Sequence, residues 1–76
     1  MNTPTLIRMA NQIASFFLAQ PGDDAVAATA DHIKKFWDPR MRKDLATHLQ
    51  AGGAGLDPLA LAAAQSLEET KAAAKI

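Results

Sequence analysis

Three times in this chain a residue that can cap a helix is followed at once by proline: Thr3-Pro4, Asp38-Pro39 and Asp57-Pro58. The cap's side-chain oxygen accepts from a free N–H of the first turn, and proline there gives up an N–H that has no intrahelical partner. The same proline stops a helix from running through from the N-terminal side, because its ring clashes with the preceding turn. The device therefore cuts the chain into separate helices. No alternating strand pattern competes with it. The expected fold is all-α, a small bundle of about four short helices in a single domain over residues 1–76, with helices 1, 3 and 4 initiated by proline.

The spacing predicts helices over about residues 4–19, 23–37, 39–51 and 58–73. In the first, Thr3 is the expected cap, and Leu6, Met9, Ile13, Phe16 and Phe17 form one apolar stripe before Pro21-Gly22 ends it. Asp23 and Asp24 open the second, where negative charge suits the positive end of the helix dipole. Its inner face carries Val26, Ala30, Ile33 and Trp37, and Asp31 precedes Lys34 and Lys35 by three and four residues, a supportive surface spacing. The third carries Met41, Leu45 and Leu49 and stops at the glycines of "AGGAG", which accept a left-handed helix terminus. Leu59, Leu61, Ala63 and Leu67 mark the fourth, ahead of an alanine-rich tail.

Size makes the core thin. A chain of 76 residues buries roughly 60% of its unfolded surface, and such a core seldom contributes more than about 3–5 kcal/mol. The apolar share is 49%, but alanine supplies much of it and buries little area. The larger candidates are Leu6, Ile7, Met9, Ile13, Phe16, Phe17, Val26, Ile33, Phe36, Trp37, Met41, Leu45, Leu49, Leu56, Leu59, Leu61 and Leu67. There is no cysteine, so no disulfide or thiolate metal site adds stability. A partner, either a second copy or another protein, is the usual remaining source. The chain taken alone is thus expected to be open to homo-oligomer formation through any uncovered apolar stripe.

Charge and hydropathy narrow the class. Eight basic and eight acidic residues cancel, and the pI is near 6.7. Nucleic-acid domains are usually strongly basic, so this balance argues against one. A signal-peptide core and a membrane span of about 18 apolar residues are both missing from the sequence, and the cytoplasm is the expected compartment.

The stretch "HIKKFWDPRMRKDL", residues 32–45, holds the only tryptophan and five of the eight lysines and arginines. Asp38 and Pro39 should make a helix-to-helix elbow, with the Asp38 carboxylate on the N–H of Arg40 or Met41. Trp37 precedes the cap, where a hydrophobic staple would begin, but the matching position is Arg42 and the staple cannot form. Trp37 is then either a core plug beside Phe36 or an aromatic shared with a partner. Lys34 and Lys35 end a helix, where positive charge is favourable. Arg40 and Arg42 begin one, where it costs about 0.3–1 kcal/mol each. They form either a solvated basic turn or a contact with acidic side chains, a carboxyl terminus or phosphate outside the chain.

Three segments carry a resemblance: "MANQIASFF" at 9–17, "HIKKFWDPRMR" at 32–42 and "GGAGLDPLALAA" at 52–63. Over roughly residues 5–68 the chain resembles the delta subunit of the NAD-dependent, molybdenum-containing formate dehydrogenases. The resemblance implies a non-catalytic accessory subunit of a cytoplasmic complex that oxidises formate and reduces NAD. Its expected partners are the large catalytic subunit and the other subunits. Those subunits would carry molybdopterin guanine dinucleotide, iron–sulfur clusters, FMN and the NAD site, with no cofactor in this chain. Assembly or stability of the complex is the implied role; transient help with molybdenum cofactor insertion is the alternative.

The residues agree with a non-redox part. A cluster needs cysteines, phosphate-cradling GxGxxG and GxxxxGK[ST] patterns are absent, and His32 and His48 have no third ligand at metal spacing. His32 reads as a hydrogen-bonded structural histidine, and Ser15 and Ser66 have no His-Asp partner pattern. No catalytic, cofactor-binding or metal residue is therefore expected. Asn11 and Gln12 are either helix surface or interface hydrogen bonders. The candidate partner contacts are Trp37, Arg40, Arg42, Phe36, Asn11 and Gln12, with Asp38 and Pro39 as the structural elbow. A nucleic-acid module reading the third helix through Arg40, Arg42 and Lys43 is the weaker alternative, because Asp38 and Asp44 flank the same turn.

Overall fold

The computed structural model describes residues 2–20 and 24–74, the last six as backbone. It contains four helices: α1 (Thr3–Leu18), α2 (Ala25–Phe36), α3 (Pro39–Gln50) and α4 (Pro58–Ala74). No strand occurs among the described residues. The all-α expectation holds, and the differences lie in how the helices begin and which faces they bury.

Proline opens α3 and α4 as read, while α1 starts one residue earlier on a different cap. At α3, Asp38 Oδ1 accepts from the Met41 N–H at 2.8 Å and Pro39 is the first helical residue. At α1 the cap is Asn2 rather than Thr3, with Oδ1 accepting from the Thr5 N–H at 3.0 Å. Asparagine caps at least as well as threonine, and proline one position further in still gives up only an unpaired N–H. At α4 the Asp57 carbonyl accepts from the Leu61 N–H at 2.8 Å, and Pro58 is the first helical residue. Helix α2 is capped by Asp24, which accepts from Val26 and Ala27 at 3.0 and 3.3 Å. Asp23 and Pro21-Gly22 lie outside the described residues.

Between α2 and α3 the backbone turns through two extended residues, Trp37 (ψ 139°) and Asp38 (ψ 166°). Asp38 precedes a proline, whose Cδ disfavours the helical region for the residue before it. The Trp37 N–H still closes on the Ile33 carbonyl at 2.9 Å, so α2 ends at the tryptophan and the elbow follows at once.

Helix α3 ends in a Schellman motif. The Gly53 N–H reaches the His48 carbonyl at 3.0 Å, and the Gly52 N–H reaches Leu49 at 3.0 Å. Gly53 is buried at φ +67°, and a Cβ there would stand 2.7 Å from Leu61 Cδ1. The left-handed backbone favours glycine, and any larger residue would also have to displace the end of the Leu61 side chain.

The packing gives small side chains a larger share of the core than the list of large candidates suggests. Leu6, Ile33, Trp37 and Leu45 are buried, but so are Ala10, Ala14, Ala30, Ala60, Ala63 and Ala64. Helix α4 touches α1, α2 and α3, and α2 packs against α4 more extensively than any other pair of helices. Alanine on α4 lets neighbouring backbones approach closely, so small residues form its buried seam. The Phe16 and Phe36 rings, counted in the core from sequence, are instead 59% and 72% exposed. Helix geometry gives the reason. On α1, Met9, Ile13 and Phe16 are centred about 90° around the axis from Leu6, Ala10 and Ala14, at 3.6 residues per turn. The large apolar stripe spills past the buried seam onto the surface.

Candidate docking groove

The same offset recurs on α2. Ile33, Ala30, Thr29 and Trp37 face inward, while His32 and Phe36 stand on one flank of that seam. The two flanks meet. Together with the start of α3 they enclose an open groove of about 450 Å³. Met9, Gln12, Ile13 and Phe16 line it from α1, His32, Phe36 and Trp37 from α2 and the elbow, and Met41 from α3. The aromatic rings are mutually ordered. Phe16 meets Phe17 edge-on at 5.1 Å, Phe17 meets His32 at 5.9 Å, and His32 lies tilted over Phe36 at 4.6 Å.

His32 was expected to be a hydrogen-bonded structural histidine. It is held by ring contacts instead, with no hydrogen bond of its own among the described residues. Gln12 is exposed at the groove. Trp37 is only 5% exposed and belongs to the core cluster, so it serves as part of the groove's floor while Phe36 stands up as wall.

Asn11 has a different place from the one its neighbour Gln12 suggested. Its Nδ2 donates to the Gly55 carbonyl at 2.9 Å, and its Oδ1 accepts from the Asp57 N–H at 2.8 Å. Both ends of the amide are used within the chain, which makes Asn11 an anchor for the loop between α3 and α4. His48 holds the same loop, with Nε2 2.7 Å from the Ala54 carbonyl. Gly55 lies against Ile7 on this flank of α1 at φ +87°, a backbone conformation that favours glycine. Asn11→Ala removes both bonds at a half-buried site, and a loss of about 1–2 kcal/mol is expected. A urea midpoint unchanged from wild type would show that the loop does not depend on the amide.

Arg40 is exposed and Arg42 half-buried at the start of α3. Among the described residues neither has a carboxylate within ion-pair distance, and Arg42 Nε is buried without a hydrogen-bond partner. The charge pairing read from α2 is present as Lys35 Nζ to Asp31 Oδ2 at 3.0 Å. No three His, Cys, Asp or Glu side chains converge at metal-binding distance among the described residues, and none of their helices is long and apolar enough to cross a membrane.

Comparison with known proteins bears on this surface through the identity of the chain. No curated protein and no solved structure matches it. A family model described as the NADH-dependent formate dehydrogenase delta subunit FdsD matches residues 5–64. That span contains α1 from its third residue, α2, α3, the anchored loop and the start of α4, including every residue that lines the groove. It also contains the three segments that carried the resemblance in sequence. The chain belongs to the family of NADH-dependent formate dehydrogenase delta subunits.

Proposed function

We propose that this chain is a non-catalytic accessory subunit that docks by its groove onto the large catalytic subunit of a cytoplasmic, NAD-dependent molybdenum formate dehydrogenase, supporting assembly or stability of the complex. The observation that carries the reading is the groove itself. Phe16 and Phe36 are mostly exposed although the chain has few large apolar residues to spare. Contiguous exposed apolar surface of this kind marks an interaction site, and aromatic residues and methionine are enriched at the centres of interfaces. Phe36 and Gln12 are the first contacts, with Trp37 beneath them. Arg40 and Arg42 stand against the dipole of α3 with no carboxylate in ion-pair reach among the described residues, which fits a partner that supplies one. The molybdenum cofactor, clusters and flavin belong to other subunits in this reading, since a cluster needs thiolates and the chain has no cysteine.

The test is a mild affinity purification of the tagged chain from its native host, with formate-dependent NAD reduction assayed on the eluate. Stoichiometric recovery of an active, molybdenum-containing catalytic subunit is the expected result. Recovery of only a cofactor-free catalytic chain would replace the resident subunit with an assembly factor, and recovery of neither would remove the proposal.

A further inference from the structure

We infer that the segment filling the groove is an amphipathic helix of a partner subunit whose apolar anchors are flanked by carboxylates. The inference rests on the docking reading above and names the chemistry of what docks.

The groove's lining selects a helix. Its polar side-chain groups are few, Gln12, His32 and the indole N–H of Trp37, and the rest of the lining is aliphatic, aromatic or thioether. An extended peptide laid there would bury backbone N–H and C=O groups with almost nothing to receive them. A helix satisfies its own backbone and presents only side chains, the usual way an apolar groove between helices is filled. Met9 and Met41 flank the floor with adaptable side chains that can close around a large anchor.

Charge selects the flanks of that helix. No carboxylate lines the groove. Two nearby acids are engaged, Asp31 by Lys35 and Asp38 by the Met41 N–H. Arg8 and Arg40 are exposed, directly precede the lining residues Met9 and Met41, and have no carboxylate within ion-pair distance among the described residues. Asp44, one turn beyond Arg40, neither lines the groove nor reaches that arginine within ion-pair distance. Asp38 keeps its charge, but residues 31–44 carry five basic side chains against three acidic ones and Arg8 adds a sixth, so the charge around the apolar surface is net positive.

The same distribution disfavours a second copy. A two-fold contact is self-complementary, so it would set this cationic rim against its own duplicate. Acidic flanks on a different chain answer it.

The experiment uses the isolated formate dehydrogenase complex and the full chain carrying Arg8→Glu with Arg40→Glu, or Phe16→Ala with Phe36→Ala. Raising salt from about 50 to about 500 mM should weaken association of the wild-type chain about tenfold. The double charge reversal should do the same at low salt and abolish the salt dependence. Charge reversal that leaves affinity and salt dependence unchanged, while the double alanine variant loses binding, would overturn the acidic partner and keep the docking reading. Association that survives the double alanine variant would overturn both. A dimer of the isolated chain that Phe36→Ala dissociates would assign the groove to a second copy and also overturn the inference.

Discussion

Trp37→Ala unfolds the chain, whereas Phe36→Ala, one residue earlier, leaves its stability within about 1 kcal/mol of wild type. The two rings are adjacent in sequence but opposite in burial, 5% against 72% exposed. Truncating a buried tryptophan costs about 3–5 kcal/mol in lost transfer energy and cavity. That equals the roughly 3–5 kcal/mol that a core of this size supplies. Trp37 also ends α2 and lies against both the core and the groove floor, so the elbow offers no easy collapse into the void. Phe36 loses only its tilted stack on His32 and surface that is already wet. Far-ultraviolet circular dichroism with urea titration decides the matter. A folded Trp37→Ala chain with a wild-type midpoint would show that the tryptophan is not structural.

The second large effect is on association. Phe16→Ala with Phe36→Ala should weaken binding to the catalytic subunit by at least about 30-fold, the loss expected when an aromatic hot spot is truncated. Helix content and melting temperature should hardly move, because neither ring is in the buried cluster. Leu18→Ala is the control. Leu18 is 70% exposed yet does not line the groove, so its loss should leave affinity within about twofold. Titration of labelled variants against the purified catalytic subunit reads all three. Equal losses from Leu18 and the phenylalanines would mean that binding follows general stickiness rather than this groove.

The elbow was legible in sequence because every force that makes it is local. Asp38 caps a helix three residues on, and Pro39 pushes Asp38 out of the helical region. The number of helices was legible for the same reason, from proline, glycine and period. The rotation of each helix was not. Periodicity groups Leu6, Met9, Ile13, Phe16 and Phe17 as one stripe, but the sector of it that turns inward depends on how closely three other helices approach. Alanines at positions 10, 14, 60, 63 and 64 settled that, and each is a weak signal in its own sequence window. Asn11 was illegible as an anchor because its partners lie 44 and 46 residues away in sequence. The one available cue was the glycine-rich loop, whose backbone groups had to be satisfied somewhere. Arg40 and Arg42 were legible as misfits to their helix end, and the lack of a carboxylate partner for either among the described residues leaves that mismatch in place.

The alanine seam of α4 also shapes how this fold responds to heat. The heat-capacity change on unfolding comes from hydrating newly exposed apolar surface, offset by the polar surface exposed with it. A methyl contributes little to the first, while the peptide groups contribute fully to the second. Calorimetrically the subunit should therefore have a low heat-capacity increment for its length and a broad, shallow dependence of stability on temperature. A partner that covers Phe16 and Phe36 would steepen that curve, so the assembled complex would gain thermal sharpness that the lone chain lacks.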